Sequence, residues 1–139
     1  MVIVYVSGVF DLFHYGHMEF LANVRSQFPE CILIAGVHND EDVATYKRTP
    51  VMTMHERARA IVASKLVDRV ILNAPLLETE EFYQQHNIEK TVHAHSEAEH
   101  ERWRRTFFPH AGDRLVRLDY SPGISTTDLI ERILHRVEK

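Results

Sequence analysis

The stretch that decides the fold is Val2–His17, VIVYVSGVFDLFHYGH. Val2 to Val6 is a run of β-formers that halts at Ser7-Gly8, the pattern of a buried strand stopping at a glycine. Beyond it, Leu21, Val24 and Phe28 fall on helical spacing, and Pro29 closes that segment. The order is therefore strand, glycine, loop, helix start. In an open parallel sheet, ligands bind at the carboxyl ends of the strands. A helix N-terminus placed there offers free N–H groups and the positive end of its dipole to a phosphate. Gly8 allows close approach to the backbone. His14 and His17 flank Gly16, so both can face one pocket and donate hydrogen bonds to phosphate oxygens as charge builds on them. The spacing H-x-x-H alone also describes ordinary polar residues at a helix start, or two zinc ligands. No third ligand stands at a suitable spacing.

Working outward, Cys31–Val37 (CILIAGV) is a continuous apolar run, suited to a parallel strand covered on both faces. His38–Pro50 is polar and mixed and reads mostly as loop. Thr53 and Glu56 form a capping-box pattern, followed by a helix stripe of Met54, Ala58, Ile61 and Val62. Val67–Leu72 reads as a short strand and Asn73-Ala74-Pro75 as a turn. Glu78–His86 reads as a helix, Ile88–His93 as a strand, Glu97–Phe107 as a charged helix and Leu115–Leu118 as a last strand. Ser125 with Asp128 is expected to cap a final helix whose core face is Leu129, Ile130, Ile133, Leu134 and Val137. Strands alternating with helices predict a three-layer α/β domain over residues 1–139, with a central parallel sheet and a topological switch beside Gly8.

Composition narrows the function. The 139 residues fit one domain, and 45% hydrophobic with 26% charged residues is a globular balance. A net charge of −4 argues against bulk attraction to nucleic acid or anionic lipid. No 18-residue apolar stretch predicts a transmembrane helix. The apolar start MVIVYVSG is short and lacks a basic leader, so it reads as a first strand and not a signal peptide. The single cysteine, Cys31, cannot form an internal disulfide, and its apolar surroundings predict a buried thiol. These features point to the cytoplasm.

The ten-residue signature Gly8–His17, together with Val67–Pro75 (VDRVILNAP), resembles the HxGH-type cytidylyltransferases that activate phosphocholine, phosphoethanolamine and glycerol 3-phosphate. The catalytic domain of the choline-phosphate enzymes is the nearest likeness, from Val4 to about Ile133. The resemblance implies a Rossmann-like nucleotidyltransferase fold that transfers CMP from CTP to a small phosphorylated alcohol and releases pyrophosphate. It implies transition-state stabilisation by His14 and His17, and a phosphate-bridging role for Lys47 on a mobile loop. It also implies a nucleotide site of Gly8, Phe10, Asp11, Arg57, His93, Gly123, Ile124, Ser125 and Thr126, with Arg57, Ser125 and Thr126 on the β- and γ-phosphates. Magnesium would arrive with the CTP rather than on protein side chains, and the protein would be a homodimer. HxGH motifs also occur in adenylyltransferases, so ATP is the alternative donor. A non-catalytic nucleotide-binding homologue is the alternative to an enzyme.

The chain departs from this pattern at four places. Lys65 stands for an arginine, and Asp68 beside it reads as structural. Tyr120-Ser121-Pro122 replaces Arg-Thr-Glu, removing an arginine expected on the triphosphate; Arg117, Arg102, Arg104 or Arg105 could substitute. His93-Ala94-His95 replaces His-Asp-Asp, and Leu76 replaces an aromatic residue. A quaternary ammonium needs aromatic faces and a carboxylate, so these changes predict an acceptor more anionic than phosphocholine. Leu76, Arg102, Arg104 and Arg105 are then the candidate acceptor residues, although Glu101–Arg105 also reads as a solvated charged helix.

Overall fold

The structure, a computed structural model, describes residues 1–138. Five strands form one parallel sheet: β1 (Ile3–Gly8), β2 (Ile32–Val37), β3 (Arg69–Leu72), β4 (Lys90–Ala94) and β5 (Leu115–Leu118). Their order is β3-β2-β1-β4-β5, so the chain reverses direction of travel across the sheet between β1 and β4. The expected switch beside Gly8 is there. Six helices complete the fold: α1 (Tyr15–Gln27), α2 (Asp40–Ala44), α3 (Met54–Ser64), α4 (Glu80–His86), α5 (His100–Thr106) and α6 (Thr126–Val137).

Alternation along β1 builds the layers. Val4 and Val6 face one side with Leu33, Ala35 and Val37 of β2, and pack under Leu21 and Val24 of α1 and Ala58 and Ile61 of α3. Tyr5 and Ile34 face the other side and pack against Tyr83, Ile88, Phe108 and Ala111. Val4, Tyr5 and Val6 are all fully buried, and each valine is worth roughly 1.5–3 kcal/mol in apolar transfer. Cys31 sits in the first cluster, and burial pushes its thiol pKa up, as expected of a structural cysteine.

Three elements differ from the sequence expectation. The segment read as loop after β2 contains α2, capped by Asn39 and carrying Asp40, Glu41 and Asp42 in its first turn, where carboxylates meet the positive end of the helix dipole. On α3, Val62 is exposed while Arg57 is buried, so the inner stripe is Arg57, Ala58 and Ile61. On α6, only Leu129 and Ile130 are partly covered; Ile133, Leu134 and Val137 are more than half exposed. The expected core face of that helix lies open beyond its first turn. Asp68 is structural as read: it accepts from the backbone N–H of Leu33 and from Arg25, tying the start of β3 to β2 and α1, and the Leu33 bond lowers its pKa.

Candidate active site

A cavity of about 470 Å³ opens over the carboxyl ends of β1 and β4, where the strand order switches. Its wall includes Gly8, Phe10 and Asp11 after β1, His14 and His17 on α1, Lys47 and Arg48 after α2, His93 on β4, and Ile124–Thr127 at the start of α6. Two helix N-termini therefore converge on one space. Ser125 caps α6 through the Asp128 N–H, and His14 caps α1.

The α1 cap fixes the chemistry of both histidines. His14 Nδ1 accepts from the Gly16 N–H at 3.1 Å, and His17 Nδ1 accepts from the His14 N–H at 3.2 Å. A backbone N–H can only donate, so in the neutral rings the proton sits on each Nε2. The two rings stack with centroids 3.9 Å apart. Burial pulls the His17 pKa down to about 4, helped by His14 and Lys47 and opposed by Asp11; burial lowers His14 as well. Near neutral pH both are therefore uncharged Nε2–H donors. His14 Nε2 lies 3.3 Å from Thr126 Oγ1, whose hydroxyl donates to the Asp11 carbonyl at 3.0 Å, so α1 and α6 are stitched together at the site. Gly16 leaves room here: a Cβ would lie 3.0 Å from both His14 Cε1 and Ile124 Cγ2 and would press on the histidine ring.

The loop that aims these histidines is strained. Phe10 and Leu12 both take positive φ, 57° and 58°, at roughly 1–2 kcal/mol each for a residue with a side chain. Two buried charged groups hold it. Asp11 accepts from the backbone N–H groups of Leu12, Val51 and Met52. Arg57, fully buried, donates to the carbonyls of Val9, His38 and Met52 and to the Asp40 carboxylate.

The structure thus gathers Gly8, Phe10, Asp11, His14, His17, Lys47, His93, Ile124, Ser125 and Thr126 around one cavity. Arg57 is a correction to the sequence reading. It lies behind the wall with its guanidinium occupied by protein oxygens, among them the carbonyls just after β1 and β2. It positions the loop and does not reach the cavity. Gly123 forms the turn before α6 at φ 94° and does not line the cavity, so it shapes the approach to α6 and not the wall itself. The acceptor-side set is also corrected. Leu76 is 43% exposed outside the cavity, and Arg102, Arg104 and Arg105 lie on the outer face of α5, paired with Glu99 and Glu101. Helical spacing brings those charges together in solvent. Arg117 binds the His95 carbonyl instead.

Arg48 went unnoticed in the sequence. It lines the cavity and donates to Thr127 Oγ1 at 3.1 Å, which brings a cation from the loop after α2 to the start of α6. Lys47 beside it is exposed at the cavity edge, and desolvation, with Arg48 next, lowers its pKa. Glu78 was missed too. It precedes α4, is 2% exposed, and accepts from Ser7, Tyr83 and Thr91. Burial raises its pKa against those three bonds.

Fold and site together define a class: a Rossmann-like α/β protein whose switch-point cavity presents helix N-termini, neutral imidazole N–H donors and two cations, the donors an anion needs. The chain belongs to the cytidylyltransferase-like family, whose family model matches residues 5–132. It is 37% identical over 144 residues to a probable choline-phosphate cytidylyltransferase of Schizosaccharomyces pombe, covering 94% of this chain and 36% of that protein. It is 36% identical over 136 residues to choline-phosphate cytidylyltransferase A of mouse, with 94% and 36% covered. Against the ethanolamine-phosphate cytidylyltransferase of mouse the identity is 36% over 97 residues, with 68% and 24% covered. The chain thus spans about a third or less of the length of these relatives. Among solved structures, a lipopolysaccharide core biosynthesis protein from Thermoplasma volcanium shares the fold, with a TM-score of 0.65 at 22% identity over 87% of this chain and 98% of that one.

Proposed function

We propose that this chain transfers CMP from CTP to a small phosphorylated alcohol. The carrying observation is the convergence of His14, His17, Lys47 and Arg48 with the α1 and α6 N-termini on one cavity. An acceptor phosphate oxygen attacks the α-phosphorus, the bond from that phosphorus to the bridging oxygen breaks, and pyrophosphate leaves with the electron pair. The reaction asks for positioning and charge stabilisation and needs no covalent nucleophile. The Nε2–H groups of His14 and His17 donate to the α-phosphate and the leaving oxygen. Lys47 spans the acceptor and α-phosphates. Ser125, Thr126 and Arg48 hold the β- and γ-phosphates, Arg48 taking the place of the arginine absent at Tyr120-Ser121-Pro122. Asp11, the one carboxylate in the cavity wall, has both oxygens on backbone N–H groups, and no group of three ligating side chains occurs among the described residues. A magnesium ion held by the triphosphate and water fits that donor set and would supply charge neutralisation there.

The acceptor follows from the same wall. Lys47 and Arg48 face the cavity, Ala94 stands where a carboxylate would balance an ammonium, and Leu76 is turned away. Desolvating a trimethylammonium without a cage is unfavourable, so a neutral or anionic acceptor is preferred over phosphocholine. The test is pyrophosphate release with CTP or ATP against phosphocholine, phosphoethanolamine, glycerol 3-phosphate, phosphoserine and a small phosphonate. CTP with a neutral or anionic acceptor should give the highest kcat/KM. A clear win for phosphocholine removes the acceptor argument, a clear win for ATP replaces the donor, and no release with any pair removes the enzyme reading.

A further inference from the structure

His93 lines the cavity, and its ring is not isolated. Its Nδ1 lies 2.9 Å from Nδ1 of His95, and His95 Nε2 lies 2.7 Å from Nδ1 of His100. His95 is fully buried, whereas His100 is partly exposed at the start of α5. Three imidazoles thus run from the cavity toward the surface. Successive rings stack, with centroids 5.2 and 5.0 Å apart, and Trp103 packs on the two inner ones at 4.2 and 5.7 Å.

Each contact joins two ring nitrogens, so each needs one N–H and one lone pair. Neutral rings satisfy both contacts in two ways only. In the first, His93 Nδ1–H donates to His95, and His95 Nε2–H donates to His100, which leaves His93 Nε2 as a bare acceptor. In the second, every proton has moved to the other nitrogen of its ring, and His93 carries Nε2–H. One proton entering at His93 and one leaving at His100 converts the first arrangement into the second.

We propose that His93, His95 and His100 form a proton relay that deprotonates a phosphomonoester acceptor bound as its monoanion. The proposal rests on the transfer reaction above. A phosphomonoester loses its second proton near pH 6, and the dianion is the better nucleophile. In the relayed step the acceptor O–H breaks and its proton bonds to His93 Nε2. The freed electron pair forms the bond to the α-phosphorus, and pyrophosphate leaves with the electrons of the broken P–O bond. His93 Nδ1–H passes to His95 Nδ1, His95 Nε2–H passes to His100 Nδ1, and His100 Nε2–H goes to water. After product release, His93 gives its Nε2 proton to water and His100 takes one back.

The surroundings keep the two inner rings neutral at rest. Burial, with His95 next, holds His93 at about 4; burial lowers His95 too, where His100 and Arg117 act with it and Glu99 against it. Arg117 reaches from β5 to the His95 carbonyl, and Glu99 lies in the turn before α5.

The test uses His100→Ala and His100→Gln, since glutamine can hydrogen-bond His95 but cannot pass a proton through itself. Both are expected to lower kcat/KM for a phosphomonoester about ten-fold more at pH 5, where about a tenth of the acceptor is already dianion, than at pH 8, with added imidazole restoring His100→Ala. A loss equal at both pH values, or wild-type behaviour in His100→Gln, overturns the relay. Nitrogen-15 spectra of the histidine rings read the coupling without turnover: His100→Ala should shift the His93 ring nitrogens, and unmoved signals count against it. If the wild-type protein transfers nothing, the reaction falls, while these spectra still report on the chain of rings.

Discussion

Replacing Arg57 by methionine separates a phosphate contact from a positioning residue. The side chain is fully buried and donates to three carbonyls at the ends of β1, β2 and the loop before α3. Methionine fills much of the volume but leaves those oxygens without donors. An unsatisfied buried polar group costs about 1–3 kcal/mol; partial entry of water places the sum near the ~3–5 kcal/mol typical of breaking a buried charged pair. Asp40, 39% exposed in its side chain, rehydrates and adds little. For a domain of this size the loss corresponds to a fall in Tm of roughly 10–15 °C. Thermal and urea unfolding, run beside calorimetric CTP titration, read it out. Arg57→Lys, which keeps one or two of the bonds, should fall between. If Arg57→Met melts within 3 °C of the parent and its whole defect lies in KM for CTP, Arg57 touches the triphosphate and its placement behind the wall is wrong.

Three further outcomes are expected. His14→Ala and His17→Ala should each lower kcat by at least ~100-fold, as for other lost transition-state donors; near-normal turnover in either removes its role. Lys47→Ala should weaken turnover more than CTP affinity, because the lysine serves both reacting phosphates, and the reverse pattern in paired kinetics and calorimetry would sink that assignment. Stability should fall with acid. His17, His38 and His93 are held near 4 by burial, so between pH 6.5 and 4 the unfolded chain binds more protons and stability drops. At pH 5 each ring can contribute up to about 2 kcal/mol of loss. Against a total of ~5–15 kcal/mol, Tm should fall steeply below pH 6, and a flat Tm from pH 7 to 5 would contradict the burial of these rings.

The fold was legible because its signals are local. Continuous apolar runs marked β1 and β2, and the Thr53–Glu56 pattern marked the α3 cap, which forms as written. What stayed hidden was long-range. The α2 helix has one turn and no apolar stripe, and only Asn39 followed by three carboxylates signalled it. Arg57 and Val62 exchange the burial their types suggest, because the charge has carbonyls to meet that lie 48 and 19 residues away in sequence. Arg48 could not be told from any loop cation until α6 was seen beside it, 79 residues on. Conversely, the three arginines around Trp103 looked site-like only because sequence does not show which way α5 faces.

The chain has ten histidines, and their arrangement acquires meaning only in three dimensions. In the His14–His17 pair, backbone N–H groups occupy the Nδ1 atoms, so the sequence spacing that could equally mean zinc ligands becomes a device for fixing tautomers. That device works only if the preceding loop keeps two residues at positive φ, a conformation that would relax without the bonds from Asp11 and Arg57. Asp11 places both oxygens on backbone N–H groups and Arg57 lies behind the cavity wall, and together they hold the loop that carries the histidines. The motif by itself therefore does not set the geometry. A chain could retain His14-Tyr15-Gly16-His17 and lose the geometry through Arg57 alone, whereas the cavity beside Tyr120 still receives a cation from another element, Arg48.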